Sequence, residues 1–180
     1  YLKMLYSIGA DDRMFTVTKS YLHREMDRGA KETGNEAEKI FLRDKKINYC
    51  TGCSTCSLHH KPCPQKDDAT EIIDKMVAAD VIVMATPVYF YTMSAQMKTL
   101  IDRCCGLYTE MNDKEFYFIV TAAEDDKEKM MRTVDTFQGF LDCLENPTIK
   151  GVIFGLGVWH VGEIKGNPAM QEAYETGKRV

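Results

Sequence analysis

What this sequence lacks narrows its identity first. No apolar run approaches the ~20 residues needed to span a membrane. There is no excess of positive charge: 23 Lys and Arg stand against 27 Asp and Glu, a net charge of −4. No basic stripe runs along the chain, so neither nucleic acid nor a membrane is an expected partner. The start carries no secretory leader pattern. There is no repeat, no low-complexity tract and no linker that would divide the chain. Only four histidines are present, and no convincing acid–base dyad stands out. What is present in quantity is cysteine. Seven cysteines without a leader imply a reducing, cytoplasmic setting, with metal or redox roles ahead of structural disulfides.

The chain's 180 residues, 44% hydrophobic and 28% charged, suit a single domain over 1–180 with one sizeable core. Apolar periodicity alternates between short runs and helical stripes. Strands are expected over 2–7, 38–42, 81–85, 115–122 and 148–155. Helices are expected over 18–33, from Asp68, behind the third strand, over 126–144, and after Asn167 with Pro168 at the first helical position. Asp68 and Glu71 resemble a capping box. Met130, Met131, Val134, Phe137 and Leu141 form an expected inward stripe. Five strands alternating with helices imply an α/β fold with a doubly wound parallel sheet. The longest irregular stretch, 43–67, is rich in cysteine.

The most informative segment begins at Asp80. Val81 to Ala85 reads as a central parallel strand covered on both faces. Thr86-Pro87 is expected to end it, and Met97, Leu100, Ile101 and Cys104 follow at helical spacing. The intervening loop carries Tyr89, Phe90 and Tyr91. A loop leaving the carboxyl end of such a strand is where open α/β sheets bind ligands. Flat side chains there suit a flat ligand, though hydrophobic packing or a dimer contact would use them equally.

The second informative segment is Cys50-Thr-Gly-Cys53-Ser-Thr-Cys56-Ser-Leu-His-His-Lys-Pro-Cys63-Pro64, a C-x2-C-x2-C-x6-C-P array. Three thiolates two residues apart can converge on one face of an iron–sulfur cube, and a fourth can close it. Bacterial ferredoxins use a related run. Zinc is a second reading, although structural zinc sites join two separated ligand pairs; four free thiols are the third. Cys104, Cys105 and Cys143 fall in helical patterns and are expected in the core. His59 and His60 are expected to face solvent.

These residues carry a family resemblance. Thr86 to Lys98 with Asp102-Arg103, the run Cys50 to Cys63 with Lys66-Asp67-Asp68, and the segment Gly157 to Met170 resemble the NADPH-dependent FMN reductase family of flavodoxin-like proteins. Within it they resemble the iron–sulfur flavoprotein branch. The resemblance implies a flavodoxin-like three-layer sandwich with a five-stranded parallel sheet in the order 2-1-3-4-5. It also implies bound FMN, NAD(P)H as co-substrate, and a four-iron–four-sulfur cluster on Cys50, Cys53, Cys56 and Cys63. Thr86, Pro87, Val88, Tyr89, Phe90 and Tyr91 would flank the isoalloxazine, with Thr121, Ala122 and Ala123 on another side. Lys98, Asp102 and Arg103 read as a salt-bridged helix face. Trp159 and His160 are candidates to cover the ring or to form an interface.

One departure stands out. Relatives hold the FMN phosphate on a loop after the first strand, at a helix N-terminus. Here Ser7, Arg13, Thr16 and Thr18 are the candidates, but Asp11 and Asp12 sit among them. A carboxylate about 5 Å from a phosphate charge costs roughly 3 kcal/mol at an effective dielectric near 20, about a hundredfold in affinity.

The resemblance implies an oxidoreductase passing electrons from a reduced nicotinamide through FMN to a quinone, a flavin or another small acceptor. A carrier fed by a ferredoxin-like protein is the alternative, and a module that has lost FMN is a third. A homodimer or homotetramer is expected.

Overall fold

The computed structural model describes residues 3–8 and 15–180, with side chains from residue 19 onward. In chain order the elements are β1 (Lys3–Ile8), α1 (Phe15–Glu32), β2 (Glu36–Phe41), a 3-10 turn (Leu42–Asp44), α2 (Thr55–His59), α3 (Ala69–Ala78), β3 (Val81–Tyr89), β4 (Thr92–Met93) and α4 (Ala95–Arg103). Two further 3-10 turns (Cys104–Gly106 and Tyr108–Glu110), β5 (Glu115–Thr121), α5 (Lys127–Leu141), β6 (Thr148–Gly155) and α6 (Pro168–Lys178) complete it. The parallel strands lie side by side in the order β2-β1-β3-β5-β6. The short β4 pairs antiparallel with the end of β3, a strand that the sequence pattern does not reveal.

Alternation along the strands divides the interior in two. Val81, Val83, Ala85, Tyr117 and Ile119 face Leu22, Met26 and Ala30 of α1 and Ala169 and Ala173 of α6. Ile82, Met84, Phe116 and Phe118 face Ile72 and Met76 of α3, Met97 and Leu100 of α4, and Phe137 and Leu141 of α5. Phe118 and Phe137 stack with centroids 4.5 Å apart. Val81 to Ala85 are wholly buried, as the unbroken apolar run predicts. Each Val, Ile or Met side chain among them contributes about 1.5–3 kcal/mol. No helix among the described residues is long and apolar enough to cross a membrane.

Several local expectations are corrected. β3 does not stop at Thr86-Pro87 but continues to Tyr89. Pro87 lies opposite Thr121, at the end of the pairing with β5. The capping box does not form: Asp68 accepts the Lys46 N–H at 2.6 Å, Asp67 takes the Ala69 N–H at 3.2 Å, and Glu71 pairs with Lys75. Met131 is 40% exposed, off the inward stripe that its neighbours Met130 and Val134 do join. Cys104 is buried as expected, but Cys105 and Cys143 are exposed. Asn167 caps α6 through the Ala169 N–H at 2.9 Å, with Pro168 at its first turn.

The close approach of α1 and α6 depends on Gly177. A Cβ there would lie 2.0 Å from the Met26 carbonyl oxygen. In an isolated helix Gly→Ala stabilises by about 1 kcal/mol. Here the backbones would have to separate, so Gly177→Ala is expected to destabilise by about 1–3 kcal/mol. Thermal unfolding of the variant measures this, and a raised melting temperature would show that the two helices yield.

Candidate functional site

The carboxyl edge of the sheet gathers the expected ring-binding residues. β3 and β4 form a hairpin in which Val88 faces Met93 and Tyr89 faces Thr92. Its two-residue turn is Phe90-Tyr91, with φ of 49° and 63°. Two positive φ values define the turn type that hairpins usually fill with Asn-Gly or similar pairs. Aromatic residues adopt this region at a cost, and such outliers concentrate at functional sites. Phe90 is fully exposed, and Tyr91 is 39% exposed with the Arg132 guanidinium of α5 5.4 Å from its ring centre. Val88 and Tyr89 are half-buried, and Pro87 is buried.

Thr86 stands at the base of this hairpin. It is wholly buried. Its hydroxyl donates to the Pro87 carbonyl and accepts the Ser94 N–H, both at 2.9 Å. Ser94 in turn caps α4 by accepting the Met97 N–H at 3.3 Å. Thr86 therefore holds the hairpin base to α4.

Beside the hairpin, Thr121 ends β5 opposite Pro87. It is wholly buried, and its hydroxyl has no hydrogen-bond partner among the described residues. A buried polar group left unpaired costs about 1–3 kcal/mol, and the Thr133 hydroxyl of α5 shares this state. Ala122 is buried, and both its backbone groups are taken: its N–H by Gly155 and its carbonyl by Val158. Ala123 is half-buried. Trp159 is 58% exposed; its N–H and that of His160 both donate to Glu163, at 2.6 and 2.8 Å. The His160 and Trp159 N–H groups hold the Glu163 carboxyl below its ordinary range. Arg13 lies outside the described residues. Ser7, Thr16 and Thr18 belong to described backbone, but their side chains lie outside it, as do Asp11 and Asp12.

The cysteine run forms a second site. Cys50, Cys53, Cys56 and Cys63 line one small cavity of about 80 Å³, together with Cys105 and Arg103. None of these cysteines is in a disulfide. Among the described residues no group of three or more His, Cys, Asp or Glu is placed to hold a metal ion. Cys53 donates to the Thr55 hydroxyl at 3.4 Å; once ionised it can accept from that hydroxyl and from the Thr55 backbone, which lowers its pKa. Burial, with Cys105 nearby, raises that of Cys56. A Cβ on Gly106 would lie 2.8 Å from the Cys56 Cβ, so only glycine lets the α4 end approach this closely. His59 and His60 are exposed, as expected.

What ties this loop down is Arg103. Lys98 and Asp102 do form an exposed pair on α4, but Arg103 does not share that face. It turns inward, with its side chain only 2% exposed and that of Asp67 0%. Its guanidinium donates to both Asp67 oxygens, at 2.6 and 3.0 Å, and to the Asn48 carbonyl at 2.8 Å. It also donates to Cys63 Sγ at 3.4 Å. Burial would push the Asp67 carboxyl up, but hydrogen bonds from Arg103, Asn48 and Ala69 outweigh it and lower it to about 2.

The sequence reading missed Arg103 and Cys105 at this site. A signal for Cys105 was available: consecutive helical residues point about 100° apart, so the stripe that buries Cys104 excludes its neighbour.

Two outcomes follow. The stabilisation from Asp67 is fully present above its unperturbed pKa of 3.8 and is lost as pH falls through about 2. It amounts to about 2 kcal/mol, and Asp67→Asn should flatten acid unfolding in that window. Burial, with Asp102 and Cys105 adding, pushes the Cys104 thiol up to about 12. Iodoacetamide with mass spectrometry at neutral pH should therefore modify the exposed Cys105 and Cys143 and spare Cys104.

The model of the family described as NADPH-dependent FMN reductase matches residues 18–160. The chain is 48% identical over 71 residues to an iron-sulfur flavoprotein of Archaeoglobus fulgidus, covering 39% of this chain and 32% of that protein. It is also 48% identical over 82 residues to an iron-sulfur flavoprotein of Methanocaldococcus jannaschii, covering 46% of this chain and 42% of that protein. The matches span less than half the length of these relatives. Among solved structures, the NAD(P)H:quinone oxidoreductase from Methanothermobacter marburgensis aligns with a TM-score of 0.74 at 13% identity, covering 99% of this chain and 96% of the other. That likeness shows the α/β, flavodoxin-like fold alone. Since the family match extends over most of its length, this chain belongs to the NADPH-dependent FMN reductase family.

Proposed function

We propose that the chain is an FMN-dependent NAD(P)H oxidoreductase that delivers electrons to a quinone, a flavin or another small acceptor. The observation that carries this reading is the carboxyl edge of the sheet. There the hairpin that carries the strained Phe90-Tyr91 turn rises from Pro87, whose neighbour across the sheet is Thr121, with a hydroxyl unpartnered among the described residues. When bound, FMN supplies two-electron exchange with the nicotinamide and one- or two-electron exchange with the acceptor. The residues described fit its ring. The hairpin offers backbone N–H groups to polar ring atoms and aromatic surface to its faces, while Thr121 offers a donor. The Thr86–Ser94 hydrogen bond keeps that hairpin rigid, so little ordering is needed on binding. Ser7, Arg13, Thr16 and Thr18 are the proposed phosphate residues. The reading includes a homodimer or homotetramer.

A second reading is favoured by the cysteine cavity. Four thiols around one small space, in a chain similar to iron-sulfur flavoproteins, suit a four-iron–four-sulfur cluster on Cys50, Cys53, Cys56 and Cys63. The donor set is all sulfur, as such clusters require. With it the protein would exchange single electrons with a ferredoxin-like partner.

The test is the visible spectrum of protein purified without oxygen, before and after NADPH. Flavin bands that bleach promptly support the oxidoreductase. Bands that persist but bleach with reduced ferredoxin support the carrier. A colourless protein that takes up no FMN sinks both flavin readings. Thr121→Val is expected to weaken FMN about 5–10-fold, the value of one hydrogen bond of about 1 kcal/mol, without lowering the melting temperature of the FMN-free protein. Unchanged affinity would remove Thr121 from the site.

A further inference from the structure

The cysteine loop has one buried contact that neither the flavin nor the four-thiol donor set explains. Arg103 is drawn under the loop and points at a single sulfur. The four hydrogens on its two Nη atoms all have partners. Nη1 donates to the Asn48 carbonyl at 2.8 Å and to Asp67 Oδ2 at 2.6 Å. Nη2 donates to Asp67 Oδ1 at 3.0 Å and to Cys63 Sγ at 3.4 Å. Asp67 is itself held by the Asn48 backbone N–H at 2.9 Å, the Asn48 side-chain amide at 3.1 Å and the Ala69 N–H at 3.2 Å. With both side chains at most 2% exposed, the guanidinium cannot swing away from the sulfur without breaking a buried ion pair, and breaking such a pair costs about 3–5 kcal/mol.

We infer that Arg103 is a positioning and tuning residue for a cluster held by this loop: its N–H on Cys63 Sγ raises the cluster's reduction potential. The inference rests on the iron–sulfur part of the proposed function. The physical reason is charge. A cluster on four thiolates is anionic and becomes more so when one electron enters, with no covalent bond made or broken. A fixed donor on a ligand sulfur stabilises the reduced form more than the oxidised one, and hydrogen bonds to the sulfurs are among the factors that set such potentials. Asp67 neutralises Arg103 overall. The pair is nonetheless a dipole with its positive end on the sulfur, because the carboxylate binds the guanidinium and not Cys63. Since burial and the Asn48 contacts fix the dipole beforehand, it needs no reorganisation as the electron arrives. A salt bridge that merely anchored the loop would not need the donor on Cys63.

The experiment uses the full chain, reconstituted without oxygen from ferrous iron and sulfide, and titrated with dithionite under electron paramagnetic resonance detection. Removing Arg103 alone would strand a buried Asp67 charge. The main variant is therefore the neutral pair Arg103→Gln with Asp67→Asn, and Arg103→Lys is the conservative control. The expected result is a cluster equilibrium shifted about tenfold against reduction in the neutral pair, equal to about 59 mV for one electron. Arg103→Lys should fall between the two, with iron content per chain unchanged. A variant that binds the same iron at an unchanged potential overturns the tuning role while leaving the cluster reading intact. A folded variant that binds no cluster also overturns it, because Arg103 would then serve only to hold the loop. If the parent protein takes up no iron–sulfur cluster, the cluster reading falls and the inference falls with it.

Discussion

The structure depends on β3 being buried on both faces. Val81 to Ala85 present apolar side chains alternately to two cores, so the strand cannot shift by one residue without exchanging every contact. Its position sets that of its neighbours β1 and β5, and through them the carboxyl edge where Thr121 stands across from Pro87. Past Pro87, opposite the end of β5, the strand continues to Tyr89 and pairs with β4 to form the hairpin. The rigid middle and the projecting end belong to one segment, so the hairpin inherits its placement from the most deeply buried part of the molecule.

The two candidate sites are built on different principles. The sheet edge is organised by backbone: a hairpin turn, a strand end, and loops held by main-chain hydrogen bonds. The cysteine loop contributes little apolar surface, with Tyr49 and Leu58 exposed, and cannot hold itself by burial. It is fastened by polar links instead: Lys46 to Asp68, Asn48 to Asp67, and Arg103 to both Asp67 and Asn48. Such a loop is well placed only while its ion pair is intact. Side-chain electrostatics therefore carries here the work that hydrophobic burial carries elsewhere in the fold.

This difference explains what could be read from the sequence. The strands and helices were legible because burial imposes a period, and Leu22, Met26 and Ala30 or Ile72, Ile73 and Met76 display it. Met131 misled because helix ends and flanks tolerate an exposed methionine next to an inward one. β4 was invisible because two residues carry no period. Asp68 looked like a cap because local spacing suggested it, but the backbone N–H of Lys46, 22 residues away, claimed its carboxylate. Arg103 looked like the third member of a surface charge pattern. Its true partner is 36 residues earlier in the chain, and nothing in local spacing reports a contact that tertiary folding creates. The hairpin aromatics were legible as candidates by their place after β3. The exposure of Phe90, the burial of Thr86 and the lone hydroxyl of Thr121 were not.

Helix α4 connects the two sites and is fixed at both ends. Ser94 joins it to Thr86 in the hairpin base, and Arg103 joins it to Asp67 and the cysteine loop. Arg103 is the last of the nine helical residues that follow Ser94, roughly 13 Å of rise away. The helix therefore carries an angular phase as well as a length. Inserting or deleting one residue would turn Arg103 by about 100° relative to Ser94, carrying the guanidinium out of the loop and toward solvent. Natural variation along α4 should then run through substitution and leave residue number untouched, because the spacing of its two anchors encodes a direction.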